Sequence, residues 1–113
     1  TELWDIFNAY CTKFYFNLIQ SLSLIEKAKL MSIGVERKNR LKNLHKYRNC
    51  FVGSQAVTFM LNAKLVDSRA GGLYLGNIFY KKKWLRHVRN EHVFEDKEDI
   101  FYVIMEDELE NRL

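Results

Sequence analysis

The sequence predicts one α+β domain in which helices come first and a small antiparallel β unit comes last. Two patterns lead to this fold class. Apolar residues recur at steps of three and four through most of the chain, which is a helical period. The last third instead contains two short runs of aromatic and aliphatic residues that favour strands.

Composition supports a single folded unit. The 113 residues are 48% hydrophobic, which is enough for one core and too apolar for a disordered chain. No run of 18 apolar residues occurs, so we expect no membrane-spanning helix. Because the chain begins at Thr1 rather than at a methionine, we expect it to be a piece of a larger protein.

The first predicted helix covers about residues 2–20. Leu3, Phe7 and Phe14 recur at helical spacing, and Trp4 widens the apolar face beyond a single stripe. We therefore expect this helix to be buried on more than one side and to pack on this domain. Contact with a neighbouring domain of the parent protein and dimerisation are the alternatives.

The second helix has a clear start signal. Ser23 followed by Glu26 predicts a capping box, in which each side chain accepts a hydrogen bond from the other residue's backbone amide. The helix is predicted from Leu24 to about Ile33, and Gly34 is suited to a left-handed stop after it.

The middle of the chain predicts an arm and two further helices. Residues 35–50 follow neither period and indicate an irregular or hairpin-like arm. Gly53 and Ser54 predict a turn and an N-cap for the third helix. Its inward residues are predicted to be Ala56, Val57, Met60 and Leu61.

The fourth helix is predicted over about residues 69–82, capped by Asp67 or Ser68. Its predicted inward residues are Leu75, Ile78 and Phe79. Three glycines inside it lower helix propensity and predict the close approach of another helix, namely Gly71, Gly72 and Gly76.

Two strands are predicted at residues 84–88 and 100–104, with a short extended piece at 92–94 and a polar turn at 95–99. Three helices followed by a β-hairpin form a winged-helix arrangement, here with one extra helix in front.

Charge is concentrated in two basic segments and one acidic segment. Residues 34–48 carry a net charge of +5, residues 81–90 carry +5, and residues 91–113 carry −7. This distribution predicts an electropositive face.

From about residue 24 to 105 the sequence resembles a DEP domain, a winged-helix module of signalling proteins. The string from Tyr47 to Ser54, with Asn49-Cys50-Phe51-Val52-Gly53 inside it, carries most of the resemblance. Further matches are Glu36-Arg37, Leu41-Lys42, Val57, Leu61, Arg69-Ala70, Leu75-Gly76, His87-Val88, Phe94, Asp96 and Tyr102. Lys83 departs from the family, which tends to have glycine before the first wing strand. The resemblance divides the chain into an N-terminal helical extension (1–23), a DEP-like domain (24–105) and an acidic tail (106–113).

The resemblance implies a non-catalytic module of an intracellular signalling protein, cytoplasmic and peripherally associated with membranes. The implied partners are anionic lipids, the cytoplasmic tail of a receptor or other protein, and other domains of the parent chain. The residues expected to bind them are Arg37, Lys38, Arg40, Lys42, Lys46 and Arg48. A secondary basic patch comprises Lys81, Lys82, Lys83 and Arg86, and a structural motif comprises Phe51, Val52, Gly53 and Ser54.

Other interpretations of these residues stay open. The basic arm is also typical of a solvated charged loop, and Trp84 is either a core anchor or a ring that dips into a membrane. Winged-helix nucleic-acid binding is an alternative, although Gly72, Tyr74, Asn77 and Lys81 of the fourth helix offer few groups that read base edges. The remaining alternative is architectural docking through the first helix.

Nothing in the sequence indicates catalysis, a metal or a cofactor. There is no nucleophile-elbow or phosphate-binding glycine motif. The histidines and cysteines lack metal-ligand spacing, namely His45, His87, His92, Cys11 and Cys50. The two cysteines lie 39 residues apart, which favours a reduced, intracellular protein over a disulfide scaffold.

Overall fold

The computed structural model describes residues 2–110, apart from the side chains of residues 10, 12 and 16. The helices are α1 (Glu2–Gln20), α2 (Leu24–Gly34), α3 (Gly53–Asn62), α4 (Arg69–Lys81) and α5 (Glu106–Glu110). The strands are β1 (Lys38–Lys42), β2 (His45–Val52), β3 (Leu85–His87) and β4 (Phe101–Ile104). This order confirms the predicted α+β class, and Thr1 and residues 111–113 lie outside the described residues.

The four strands form one antiparallel sheet in the order β1-β2-β4-β3. Strand β2 joins two regions: its first part pairs with β1 in the arm, and Phe51 pairs with Tyr102 of β4 in the interior. The arm is therefore a β-hairpin, as the prediction of a hairpin-like segment allowed. On the other side of β4, Leu85 pairs with Ile104 to form the wing.

The core lies between the helices α2, α3 and α4 and the inner part of the sheet. Its fully buried large side chains are Met31, Phe51, Val57, Met60, Phe79, Leu85, Phe94 and Tyr102. The hydroxyl of Tyr102 donates a hydrogen bond to the carbonyl of Val93 at 2.7 Å and accepts one from the amide of Glu95 at 2.8 Å. Burial raises the pKa of Tyr102 to about 12, so the hydroxyl keeps its proton. Its two hydrogen bonds hold in place the loop between β3 and β4 (residues 88–100, the wing loop).

The predicted burial of α1 is wrong, although its bounds are as predicted. Among the side chains of α1 that the structure describes, only Ile19 is buried, while Leu3 is 81% exposed and Phe14 is 62% exposed. Near the end of the helix, the Tyr15 hydroxyl donates to the carbonyl of Ala63 at 3.4 Å. Ile19 belongs to the core and Gln20 donates to the carbonyl of Lys64 at 3.4 Å, so the described contacts of α1 with the domain lie near its C-terminal end.

Helix α2 begins as predicted and ends differently. The Ser23 hydroxyl accepts the amide of Glu26 at 3.2 Å, and the Glu26 carboxylate accepts the amide of Ser23 at 2.9 Å, which confirms the capping box. Gly34 is the last helical residue and has no positive φ, so the predicted left-handed stop is wrong. The physical reason for glycine there is space, because a Cβ would overlap the ring of Phe59.

The predicted N-cap role of Ser54 is also wrong. Helix α3 begins at Gly53, and no side chain caps it. Instead, the amide of Gly53 donates to the carbonyl of Ile100 at 3.1 Å, and the amide of Ser54 donates to the carbonyl of Lys97 at 3.0 Å. The wing loop thus satisfies the first amides of α3. The predicted inward residues Ala56, Val57 and Met60 are buried, and Leu61 is half-buried.

Helix α4 is capped by Ser68, whose hydroxyl accepts the amide of Gly71 at 3.0 Å. The predicted close approach is confirmed at Gly72, where a Cβ would lie 2.7 Å from a methyl group of Val57 in α3. At Gly76 the close neighbour is the ring of Phe94 in the wing loop rather than a helix. The predicted inward residues Leu75 and Phe79 are buried, and Ile78 is half-buried.

The end of the chain differs from prediction in two respects. Residues 92–94 form no strand, and Phe94 instead buries its ring under Gly76. Residues 106–110 of the predicted acidic tail form α5, in which Leu109 is buried in the core.

Candidate functional site

The two basic segments lie at different edges of the sheet. Residues 38–52 form the β1–β2 hairpin, in which β1 is one edge strand. The second segment covers the end of α4 and β3, and β3 is the opposite edge strand. Strands β2 and β4 separate the two edges, so the structure does not bring the segments together into one cluster.

Two arginines of the predicted arm cluster are engaged inside the protein. The Arg37 guanidinium pairs with the Glu106 carboxylate of α5 and is 23% exposed. Arg40 donates from Nε to the carbonyl of Cys50 at 3.2 Å, and its guanidinium carbon lies 5.8 Å from the centre of the Phe101 ring. These contacts tie the hairpin to the body of the domain.

The lysines of β1 are more exposed. The Lys42 ammonium donates to the carbonyl of Asp99 and lies 5.8 Å from the Phe101 ring centre. Lys38 pairs with Glu36 at 3.2 Å, but both side chains are more than half exposed. An ion pair this exposed contributes little to stability, so Lys38 remains available to another anion.

Lys46 and Arg48 are the exposed cations of β2. Within residues 2–110 neither has an ion pair. Lys46 is directly opposite Leu41 of β1, and Arg48 follows two positions later on the same strand face. Tyr47 points the other way, with its ring 6.3 Å from that of Phe101. The hairpin therefore has an inner face on Phe101 and an outer face that combines Leu41, Lys46 and Arg48.

The tip of the hairpin is a tight two-residue turn. Lys42 pairs with His45, and the residues between them, Asn43 and Leu44, have φ values of 52° and 63°. Two positive φ values match the twist of a hairpin, and asparagine adopts them readily whereas leucine does not. Leu44 is 94% exposed, so an apolar side chain projects into solvent from a strained backbone.

Two apolar residues on the outer face and tip of the hairpin were not predicted as part of the site. Leu41 is 67% exposed and Leu44 is 94% exposed, and both lie among the cations. The sequence signal for the turn between them was Asn43, because asparagine favours positive φ. This residue lies between two segments of similar polarity, which became β1 and β2.

A β-bulge lies at the base of the hairpin. The pairing shifts between Lys38 and Arg40, and Asn49 has a φ of 48°. The amide of Asn49 donates to the side-chain oxygen of Asn39 at 3.0 Å across the two strands. A bulge increases the local twist of the strands, so it sets the orientation of the hairpin's outer face relative to the core.

The second basic segment surrounds a cavity of about 400 Å³. The cavity is lined by Tyr80, Lys81, Lys83, Leu85, Arg86, Asn90, Met105 and Glu108. Lys83 has a φ of 64°, a conformation for which glycine is suited. Trp84 is buried, so it is a core anchor, with the Lys82 ammonium 5.9 Å from its ring centre.

The remaining predicted residues have interior positions. Phe51, Val52 and Gly53 of the structural motif are buried and Ser54 is half-buried. Cys50 is buried beneath the hairpin, and this burial raises the pKa of its thiol.

Two histidines meet in the wing. The rings of His87 and His92 are 4.7 Å apart, and Nδ1 of His87 accepts the amides of Arg89 and Glu91, each at 3.2 Å. Burial, and secondly the charge of His92, lowers the pKa of His87.

In residues 2–110, no three side chains of His, Cys, Asp or Glu converge in a way that would hold a metal ion. Nor is any helix in this range both long and apolar enough to cross a bilayer.

Comparison with known proteins identifies the family. The family model described as "Domain found in Dishevelled, Egl-10, and Pleckstrin (DEP)" matches residues 34–104. No curated protein matches the sequence.

Solved structures of DEP domains share the fold. The DEP domain of mouse pleckstrin is 21% identical, covers 79% of this chain and 94% of its own, and has a TM-score of 0.64. One structure of the human pleckstrin DEP domain is 20% identical, covers 75% and 77%, and has a TM-score of 0.64. DEP domains are signalling modules that often mediate membrane or protein interactions and are generally non-catalytic. With its four-stranded sheet, its basic hairpin and this match, the chain belongs to the DEP domain family.

Proposed function

We propose that this DEP domain binds anionic membrane surfaces peripherally through the outer face and tip of the β1–β2 hairpin. The observation that carries the proposal is Leu44, which is 94% exposed on a strained turn beside exposed cations. The contact surface comprises Lys38, Leu41, Lys42, Leu44, Lys46 and Arg48. Arg37 and Arg40 are half-buried and held by internal contacts, whereas the side chain of Lys42 is exposed beside the turn. The two arginines therefore position the hairpin rather than bind lipid.

The charges alone provide weak binding. A lysine or arginine near an anionic leaflet contributes about 1 kcal/mol, so four cations contribute about 4 kcal/mol. That free energy corresponds to a dissociation constant of about 1 mM. Screening over about 8 Å at physiological salt reduces it further.

The apolar tip supplies the second contribution. Burying a leucine side chain contributes about 1.5–3 kcal/mol, which is comparable with the charge term. Leu44 extends beyond the cations at the end of the hairpin, so it can enter the boundary between headgroups and acyl chains while lysines contact phosphates. Combined charge and insertion therefore favour an anionic bilayer over a dissolved anion.

The test is co-sedimentation of the chain with vesicles of phosphatidylcholine alone or mixed with phosphatidylserine, at low and physiological salt. We expect binding to the anionic vesicles only, weakened by salt. The double variant Lys46→Glu/Arg48→Glu is expected to lose binding. The matched control Lys64→Glu/Lys97→Glu changes net charge equally at exposed sites outside the hairpin and is expected to bind. Equal binding by both variants would contradict the proposal.

Two other partners are outcomes of the same experiment. Saturable binding to an acidic peptide that survives moderate salt, with no vesicle binding, would assign the hairpin to a protein tail. A gel shift that resists competitor would assign a nucleic-acid role, although Leu73 and Tyr74 of α4 expose mainly apolar surface.

A further inference from the structure

Helix α1 carries large apolar side chains that are exposed to a high degree. Its exposed large apolar side chains are Leu3, Trp4, Ile6, Phe7, Phe14, Tyr15 and Leu18. Scattered exposed apolar residues are normal, but seven on one 19-residue helix are a concentration of the kind that marks an interface.

The spacing of this patch indicates a helical partner. Trp4, Phe7, Cys11, Phe14 and Leu18 follow one another at alternating steps of three and four residues. This is the a/d spacing of a coiled coil, which places one seam along a helix and fits a second helix by knobs-into-holes packing. Phe7 and Phe14 in this seam are 56% and 62% exposed, and Cys11 is exposed.

Charge argues against an anionic membrane as the occupant of this seam. The polar side of α1 carries Glu2, Asp5 and Lys13, a net charge of −1. Helices that lie on anionic membranes are typically rich in lysine and arginine on their polar face. The basic hairpin, not α1, has the composition for that role.

We infer that α1 pairs with α1 of a second copy of this chain in a parallel two-stranded coiled coil. In this arrangement each seam residue meets its own counterpart, so Phe7 meets Phe7, Cys11 meets Cys11 and Phe14 meets Phe14. In every layer of the coiled coil an apolar side chain of one copy then packs against an apolar side chain of the other. The seams of two copies are therefore complementary to each other.

The available area matches a small specific interface. An aromatic side chain has about 150–250 Å² to bury, so given the exposed fractions of the apolar side chains, two copies of α1 can remove roughly 1,200 Å² of apolar surface. That value is at the lower end of the range for specific protein interfaces. The dimer is therefore expected to form reversibly and to depend on protein concentration.

The first test is the mass of the 113-residue chain by sedimentation equilibrium without lipid, from about 1 µM to about 1 mM, a range suited to an interface of this size. We expect the wild-type mass to rise from one copy to two. Phe7→Glu and Phe14→Glu are expected to stay at one copy. Ala9→Glu adds the same charge on the side of α1 opposite the seam and is expected to dimerise like the wild type.

A second measurement covers the case in which a seam variant loses the helix itself. Mild oxidation of the wild-type chain with diamide is expected to produce a disulfide-linked dimer through Cys11, because Cys50 is buried. Cys11→Ser is expected to abolish the cross-link while sedimentation still shows two copies.

Three results would overturn the inference. They are a wild-type chain that stays monomeric throughout the range, a Phe14→Glu variant that dimerises normally, and a dimer that gives no Cys11 cross-link. Because no vesicles are present, each of these results leaves the proposal for the hairpin unaffected.

Discussion

Arg69 and Asp96 form a two-point ion pair that joins α4 to the wing loop. Nε of Arg69 donates to Oδ2 of Asp96 at 2.7 Å, and Nη2 donates to Oδ1 at 2.6 Å. The same guanidinium donates to the carbonyl of Ser54 at 3.0 Å and to the hydroxyl of Thr58 at 3.2 Å, both in α3. One side chain thus fixes two helices and the wing loop, and the pairing raises the pKa of Arg69.

Replacing Arg69 by lysine is expected to lower the free energy of unfolding by about 1–2 kcal/mol, because an ammonium cannot reproduce the fork of donors. Urea denaturation followed by circular dichroism measures the change. The control is Arg89→Lys, since Arg89 and Glu91 are 3.7 Å apart and both more than half exposed. This change is expected to cost less than about 0.5 kcal/mol, and an equal effect of both substitutions would refute the role of the fork.

The Gly76→Ala variant is expected to lose about 2–3 kcal/mol of stability, as overpacking of a rigid core does. A Cβ at residue 76 would overlap the ring of Phe94, which is fully buried and cannot move aside without disturbing the wing loop. The control is Gly71→Ala in the same helix, where the nearest atoms lie 3.3 Å and 3.4 Å away. Its effect is expected to stay within about 1 kcal/mol in either direction, and comparable losses at both positions would contradict the argument from space.

Leu44→Gly is expected to raise stability and lower vesicle binding together. Glycine relieves the cost of a leucine at a φ of 63°, with a net gain of up to about 1 kcal/mol after its larger loss of chain entropy. It also removes the side chain that enters the bilayer. Thermal denaturation and vesicle co-sedimentation measure the two effects.

The control for residue 44 is Asn43→Gly in the same turn, which alters the backbone but removes no apolar group. It is expected to leave vesicle binding unchanged. If Leu44→Gly bound vesicles as well as the wild type, insertion of the tip would be ruled out.

Stability is expected to fall as the pH drops below about 6.5, the ordinary pKa of histidine. The pKa of His87 is lowered in the folded protein, by burial and then by His92, so the unfolded chain takes up this proton first. Glu91 opposes the shift, whereas Lys42 and Arg89 add to it. The loss continues until the pH falls through the lowered pKa of the folded protein.

Urea denaturation at a series of pH values from about 5 to about 8, on both sides of the ordinary pKa of histidine, is the measurement. Replacing His92 by glutamine is expected to reduce the acid loss, because it removes the second cause of the shift. His45→Gln, at an exposed site on the hairpin, serves as the control. A wild-type stability that rose on acidification would contradict the assignment.

Features encoded within a few residues could be predicted from the sequence. The capping box of Ser23 and Glu26 spans four residues, and the inward positions Leu75 and Phe79 follow from one helical period. The hairpin was foreseen only as one form of the arm, because its pairing depends on a turn with positive φ at Leu44, a residue that rarely adopts it.

Features set by distant partners could not be predicted. Arg37 is paired with Glu106, 69 residues later, so charge alone did not distinguish a structural arginine from an exposed one. The amides at the start of α3 are satisfied by the carbonyls of Lys97 and Ile100, which no local pattern encodes. The apolar spacing of α1 predicted a buried helix but carried no information on which surface would cover it.

Strand β2 runs from the exposed His45 to the buried Val52 without a break, so its eight residues belong to two environments. Its inner end is enclosed by the core, while the strand partner of its outer part is β1, the edge strand. Amide exchange with solvent along this one strand should therefore slow progressively from residue 45 to residue 52. The core therefore keeps the hairpin tip ordered through β2. A substitution at Phe51 or Tyr102 would make the proposed membrane contact less ordered, although neither residue is part of that contact.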